Sequence, residues 1–379
     1  MSTLVSSAQK SGHGTWLEIR LDRLVSNLRN LKQHLGLSHQ VMAVVKANAY
    51  GHGLFETAKA LAGEVQSLGV SNLYEALELK EHGIETPVFL FGRLFGKELQ
   101  TAIKSSLLLS VSSLEEAEEI SEASTREGRQ TTVHVKVDTG MGRLGIQEHQ
   151  AVRFIPRMAE MKGLILEGIY THLPTSEKND GFAETQAEKF RLLTEIFRTQ
   201  GIRFKMKHLA NSAACLRMKP NETTNLVRPG LILYGIYPDV SLKSKMIAKP
   251  VLSLKSRIIS LKHLEKGDSV GYGRDFTASQ PTTAATLAIG YSHGYPFSLS
   301  NRASVLFRGK RYPLAGRVSM DYLTIDLGND PAEAGAEVTL LGEDENESVT
   351  AEELAKAAGT IPYEIVTRLS SRLPRFYQA

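Results

Sequence analysis

Residues 40–53 read QVMAVVKANAYGHG. An unbroken apolar run, Val41 to Val45, stops at Lys46 and gives way to positions rich in glycine and small polar residues, the pattern of a buried strand running into a loop. The LFETAKALAGE that follows carries apolar residues at spacings of three and four, which predicts a helix with one buried face. The stretch is therefore one βα unit with a lysine at the strand's C-terminal end. Downstream the unit recurs. Further strand-like runs end at Ser71, begin at Pro87, and end at Val111, Asp138, His172, Leu209 and Pro229, making eight with the first. Between them lie amphipathic stretches such as NLYEALELKEHG, SLEEAEEISEASTREG and ETQAEKFRLLTEIFRTQG. Eight such units between about residues 20 and 240 match the span of a (β/α)8 barrel, although a doubly wound sheet is compatible with the same string. Upstream, Asp22 is placed to cap a helix whose apolar face includes Leu24, Leu28 and Leu31.

Near Pro250 the texture changes. Short strand-like runs follow without intervening helices, from PVLSLKSRIISL to EVTLLGE, and predict a second, mostly-β domain. One helix is expected there, since Thr350 and Glu353 have capping-box spacing and Gly359 sits where a C-cap would. The expected organisation is a polar tail over 1–15, a barrel over 16–248 and a β domain over 249–379, with a cleft between the two domains as the default place for a site.

The chain has 379 residues, is 42% hydrophobic and 23% charged, and contains no apolar run of the length a membrane helix needs. Its excess of 4 cations is spread along the sequence, which argues against nucleic acid as a partner. A single cysteine, Cys215, suits a reducing compartment, and the polar N-terminus lacks an export signal's hydrophobic stretch, so the cytoplasm is the expected location.

In a βα barrel, chemistry gathers at the C-terminal ends of the strands. Polar and glycine-rich clusters fall there: Lys46 with Tyr50, Lys136 with Arg143, His172, Asn211 with Ser212, and Arg228 with Gly230. Desolvation at a strand end lowers a lysine's pKa toward nucleophilic use, and lysines so placed form Schiff bases. The glycines of KVDTGMGRLG first suggest a phosphate cradle, but the spacing fits neither a P-loop nor a dinucleotide fingerprint. Arg143 meeting an anion bidentately and a surface turn closed by an Asp–Arg bridge remain as readings of that segment. Asn211 with Ser212, and Arg228 with Gly230, read either as anion sites or as capping alone. In the β domain, glycine-flanked Tyr272, Tyr291, and the pair Met320 and Asp321 fall in turns between strands.

Nine motifs, VVKANAYGHG, VKVDTGMGRLG, YTH, LANSAA, VRPGLILYG, VGYGRDF, IGYSHGYP, GRVSMD and IPYEIVTRL, occur in this order over nearly the whole chain. Together they resemble the alanine racemase family, which interconverts L- and D-alanine with pyridoxal 5′-phosphate. The resemblance implies a barrel followed by a β domain, with the TWLEI strand (16–20 region) joining the latter. It also implies a head-to-tail homodimer whose sites take residues from both chains, and a role in supplying D-alanine for peptidoglycan. Carried over by position, Lys46 would hold the cofactor covalently. Tyr50, Ser212, Gly230, Leu231 and Tyr363 would bind its phosphate, with Asn211 close by. Arg228 would face the pyridine nitrogen, with His172 beside the ring and bonded to Arg228. Arg143 would contact the phenolic oxygen and the substrate carboxylate, next to Lys136 as the lysine that many members carbamylate. Tyr272, Tyr291 and the Met320 backbone N–H would come from the partner chain, with Lys46 and Tyr272 as the two bases. No metal is implied.

The chain departs from the family pattern at Glu177, at His293 where most members carry aspartate, at Phe297 near a customary arginine, and at Ser319 in place of a frequent cysteine. The resemblance places these positions largely in the substrate entry corridor and its edges, so a broader racemase acting on serine is the alternative. A related decarboxylase would need a cysteine in the partner's half of the site, and Cys215 lies in the barrel half. A non-catalytic carrier of the same cofactor would lack the β domain.

Overall fold

The computed structural model describes residues 12–36, 39–218 and 223–379, so most of the expected polar tail lies outside the described residues. Strand β1 (Thr15–Arg20) leads into helix α1 (Leu21–Leu35). The alternation then runs β2 (Gln40–Val44), α2 (Leu54–Leu61), β3 (Ser67–Val70), α3 (Leu73–Glu81), β4 (Val88–Leu90), α4 (Gly96–Lys104), β5 (Leu108–Val111) and α5 (Leu114–Arg126). It continues with β6 (Thr131–Asp138), a two-residue β7 (Ile146–Gln147), α6 (Glu148–Ala159), β8 (Leu164–Tyr170), α7 (Phe182–Thr199), β9 (Met206–His208), α8 (Ser212–Arg217) and β10 (Leu226–Val227).

The strands pair in parallel in the order β10-β2-β3-β4-β5-β6-β8-β9. Backbone bonds from Asn225 N–H to Lys207 O (3.0 Å) and from Arg228 N–H to Ala210 O (2.8 Å) then join the last strand to the first. The ring closes, which decides for the (β/α)8 barrel over the doubly wound sheet. Inside it, Met42, Phe89, Tyr170, Met206 and Leu226 form one buried cluster. Outward-facing aliphatics such as Val133, Val135 and Val137 pack under the helices.

The second sheet is built around β11 (Leu252–Leu264), with β12 (Ser269–Val270) and β13 (Phe276–Thr277) as a small hairpin beside it. Strands β14 (Thr282–Leu287), β15 (Ser304–Phe307), β16 (Lys310–Pro313), β17 (Leu323–Asp326), β18 (Glu337–Asp344) and β19 (Glu347–Val349) follow. Helices α9 (Ala351–Ala358) and α10 (Pro362–Thr367) and strand β20 (Arg375–Gln378) end the chain. β1 lies between β11, antiparallel, and β20, parallel, so the first strand of the sequence belongs to this second sheet.

Two local expectations need correction. Asp22 lies inside the first turn of α1 instead of at its cap, because Arg20 takes its carboxylate at 2.6 Å. At α9, Thr350 Oγ1 accepts from Glu353 N–H at 3.1 Å and Gly359 closes the helix with φ of 71°, but only half of the capping box forms. The Glu353 carboxylate is held by Arg311 at 2.6 Å.

Ile19 is fully buried between β11 and β20. Ile19→Ala should cost about 2–5 kcal/mol of stability. Urea unfolding followed through the chain's only tryptophan, the buried Trp16, reads this directly.

Candidate active site

At the C-terminal mouth of the barrel a cavity of about 360 Å³ is lined by Lys46, Tyr50, Lys136, Arg143, His172, Asn211, Ser212, Arg228, Gly230, Leu231 and Tyr363. All the barrel candidates, with Tyr363 from α10, thus reach one place. Ser71, Phe91, Tyr170 and Leu144 complete much of the wall.

Lys46 follows β2 by two residues and opens an unusual turn. Ala47, Asn48, Ala49 and Tyr50 all have φ between 51° and 55°, four consecutive left-handed non-glycine residues before Gly51. Each such residue costs about 1–2 kcal/mol, so the turn needs external support. Asn48 N–H donates to Glu75 Oε1 (3.3 Å), Asn48 Oδ1 accepts from Leu54 N–H (2.8 Å), and buried His52 donates from Nδ1 toward the Ala49 and Tyr50 carbonyls. Burial lowers the Lys46 pKa first, and the Arg143 charge lowers it further.

The KVDTGMGRLG segment resolves clearly. The Asp138 carboxylate accepts from the N–H groups of Gly140 (2.9 Å), Met141 (2.7 Å) and Gly142 (2.9 Å). Those donors are consumed within the chain, so the segment is not a phosphate cradle. The carboxylate folds the loop, and Arg143 lines the cavity.

Arg228 is 4% exposed and held on several sides. Its Nη2 donates to Thr171 O (2.7 Å) and Leu209 O (3.2 Å) and lies 3.4 Å from His172 Nδ1, while Nη1 meets His208 Nδ1 at 2.8 Å. Its plane lies over Tyr170, 5.1 Å from the ring centre. Burial and the Arg228 charge push the His172 pKa down to about 3. Lys136 is pushed down to about 8 by burial, then by Arg143 and Arg228. Among the described residues no carboxylate lines the cavity.

Asn211 caps α8, accepting from Ala214 N–H (3.0 Å), and also accepts from Ser176 Oγ (2.8 Å). Ser212 Oγ accepts from Gly230 N–H at 2.9 Å, joining the two anion-site candidates into one corner. A Cβ at Gly230 would stand 2.5 Å from the Tyr50 hydroxyl, so glycine keeps this corner open. Tyr363 is pushed up to about 12 by burial and by Glu177.

Tyr272, Tyr291 and Met320 do not line the cavity of their own chain; they are 73%, 44% and 55% exposed. Their loops are tied together by Arg317 with Asp275 and by Tyr291 N–H to Ser319 O (3.0 Å). His293 accepts Gly290 N–H on Nδ1 (3.1 Å), a loop bond that an aspartate could also make.

Family models for the alanine racemase N-terminal and C-terminal domains match residues 19–238 and 251–377. The chain belongs to the alanine racemase family. It is 38% identical to alanine racemase 2 of Caldanaerobacter subterraneus subsp. tengcongensis over 96% of this chain and 94% of that protein. It is 41% identical to alanine racemase of Geobacter sulfurreducens over 89% and 90% of the two chains. The crystal structure of alanine racemase from Streptomyces lavendulae superposes with a TM-score of 0.91 at 34% identity, covering 96% of both chains. That of Bacillus anthracis alanine racemase with bound L-Ala-P gives 0.89 at 34%, over 96% and 95%.

Two parts of this racemase-family site escaped the sequence reading. The left-handed turn and its Glu75 brace have no pattern signal, since Ala and Tyr do not favour positive φ. His208 was findable: it ends β9 much as Lys46 follows β2.

The Lys136 pKa has a stability consequence. Between about 8 and the ordinary lysine value of 10.5 the unfolded chain binds a proton that the folded chain does not, so stability rises with pH across that window. In CO2-free buffer, Lys136→Met should lose that rise, as read by thermal melts of both proteins from pH 7 to 10.5.

Proposed function

We propose that this protein racemises alanine by a two-base mechanism with pyridoxal 5′-phosphate, in the cytoplasm, as a homodimer whose sites are shared. The observation that carries this reading is a cavity with Lys46, Lys136, Arg143 and Arg228 on its wall and no carboxylate among its described lining residues, a set of side chains suited to an anionic guest. A cofactor bearing a phosphate and a phenolate, together with a substrate carboxylate, supplies such charge.

The corner fits that group through its hydroxyls, the Gly230 N–H being already given to Ser212 Oγ. Tyr50, Ser212, Gly230, Leu231 and Tyr363, with Asn211 close by, form the phosphate corner, which the absence of a side chain at 230 leaves open. Arg228 would face the cofactor's ring nitrogen and Lys46 would hold its aldehyde carbon. When bound, the cofactor withdraws electrons from the substrate's Cα and acidifies its proton. A guanidinium does not give up its proton, so Arg228 would leave the ring nitrogen unprotonated and the withdrawal moderate, favouring racemisation over side reactions.

The remaining work belongs to the side chains. Once the substrate's amino group has taken its place on the cofactor, the released Lys46 amine, whose pKa burial and Arg143 lower, removes or returns the Cα proton of D-alanine. The partner's Tyr272 does the same on the opposite face for L-alanine. Arg143 holds the substrate carboxylate, and the partner's Tyr291 and Met320 N–H close the site. Lys136, unprotonated in part near neutrality, adds CO2 to its amine and releases a proton, and the resulting carbamate turns one cation of the cluster into an anion beside Arg143. The product supplies D-alanine for peptidoglycan. Alanine is favoured over serine because the relatives are alanine racemases, and the His293 bond to Gly290 N–H leaves the loop of Tyr291 anchored.

Lys46→Ala and Tyr272→Phe should each be nearly inactive alone, by at least a thousandfold in kcat. Mixed and re-equilibrated, they should regain activity, because one site of each mixed dimer receives both native groups. No recovery on mixing, with heterodimers shown by native mass spectrometry, contradicts the shared site. kcat/KM for alanine should exceed that for serine; a preference for serine overturns the substrate assignment.

A further inference from the structure

Beneath the cavity, the barrel interior holds two imidazoles that no step above uses. His134 and His208 are 1% and 0% exposed. They pack on Phe89, and the His208 ring stacks on Tyr170 with centres 4.8 Å apart. Such interiors are filled by branched aliphatic side chains, and buried imidazoles need hydrogen-bond partners. These have theirs in single file. Arg228 Nη1 is 2.8 Å from His208 Nδ1, His208 Nε2 is 2.8 Å from His134 Nδ1, and His134 Nε2 is 3.5 Å from Glu167 Oε2. Glu167 Oε1 in turn meets the exposed Lys205 ammonium at 3.0 Å.

The direction of the file is forced. A guanidinium only donates, so His208 Nδ1 must be a lone pair. Burial disfavours the charged form of both rings. Neutral His208 therefore carries its proton on Nε2 and donates to His134 Nδ1, and His134 carries its own on Nε2, toward Glu167. The backbone is shaped for that last step. Val133 pairs with Leu166 but His134 with Gly168, so Glu167 is the extra residue of a β-bulge, a device that re-aims side chains. A Cβ on Gly168 would stand 2.5 Å from His134 Cγ, so glycine there makes room for the ring.

We propose that Glu167 and His134 are positioning residues for Arg228, the carboxylate at the other end of the file fixing the tautomers of both histidines and with them the orientation of the guanidinium. The inference rests on the reading of Arg228 as the group that faces the cofactor ring. Without an acceptor at 167, the His134 Nε2–H is left buried and unpaired. Reversing the file satisfies it only by pointing a His208 N–H at the Arg228 N–H. Neither arrangement is good, and the guanidinium keeps its Nη2 bonds while its Nη1 loses a fixed acceptor.

The test is 15N NMR of histidine-labelled full-length protein, alongside absorbance spectra and kinetics of the cofactor-loaded enzyme. Glu167→Gln keeps an acceptor, Glu167→Leu removes it, and Lys205→Met removes only the outer ion pair. Wild type, Glu167→Gln and Lys205→Met should show both rings as single Nε2–H tautomers. Glu167→Leu should show mixed or reversed tautomers, a shifted cofactor band, and a kcat at least fivefold lower with KM within twofold. Rings that stay single Nε2–H tautomers in Glu167→Leu, or a Glu167→Gln as impaired as Glu167→Leu, overturn the proposal. Should Glu167→Leu fail to fold, an Nδ1–H tautomer at either ring in the wild type overturns it by itself. Tautomers behaving as expected with no racemisation in any protein would sink the functional reading and leave the file standing.

Discussion

Four cationic side chains share one cavity at the mouth of this barrel, and no carboxylate lines it among the described residues. Desolvation and mutual repulsion act together there. They lower the pKa of Lys46 and bring Lys136 to about 8. The same field favours the neutral form of the amine just beyond β2 and favours an anionic guest in the cavity. Three of the four are built in by different local devices: a carboxylate-pinned glycine loop for Arg143, carbonyls and an imidazole for Arg228, and a strained turn after Lys46.

The strained turn deserves its place in that scheme. Four left-handed residues cost about 4–8 kcal/mol together at about 1–2 kcal/mol each, and the surrounding structure must offset this. Glu75, Asn48 and His52 do so from three directions. The result brings Lys46 and the Tyr50 hydroxyl to the same cavity within five residues of chain. Strain of this kind persists where a site needs a geometry that regular structure does not supply.

Much of this was legible from residue pattern. The eight strands follow from apolar runs broken by turn residues, and the barrel from their count, though only the Arg228–Ala210 and Asn225–Lys207 bonds exclude an open sheet. The site residues were legible because they fall at one end of those strands. What pattern could not show is where a side chain spends its hydrogen bonds. Asp138 looked like half of an ion pair and is a loop organiser; Asp22 looked like a cap and is paired to Arg20. Nor does sequence spacing show that His134, in the middle of β6, reaches a residue bulged out of β8.

The account turns on two bases of different chemistry serving different enantiomers. Hydrogen exchange at Cα in heavy water separates them. The Tyr272→Phe protein, loaded with cofactor, should still incorporate deuterium into D-alanine, through Lys46, while leaving L-alanine unlabelled when each is supplied alone and followed by proton NMR. Equal labelling of both enantiomers, or of L-alanine alone, would contradict it.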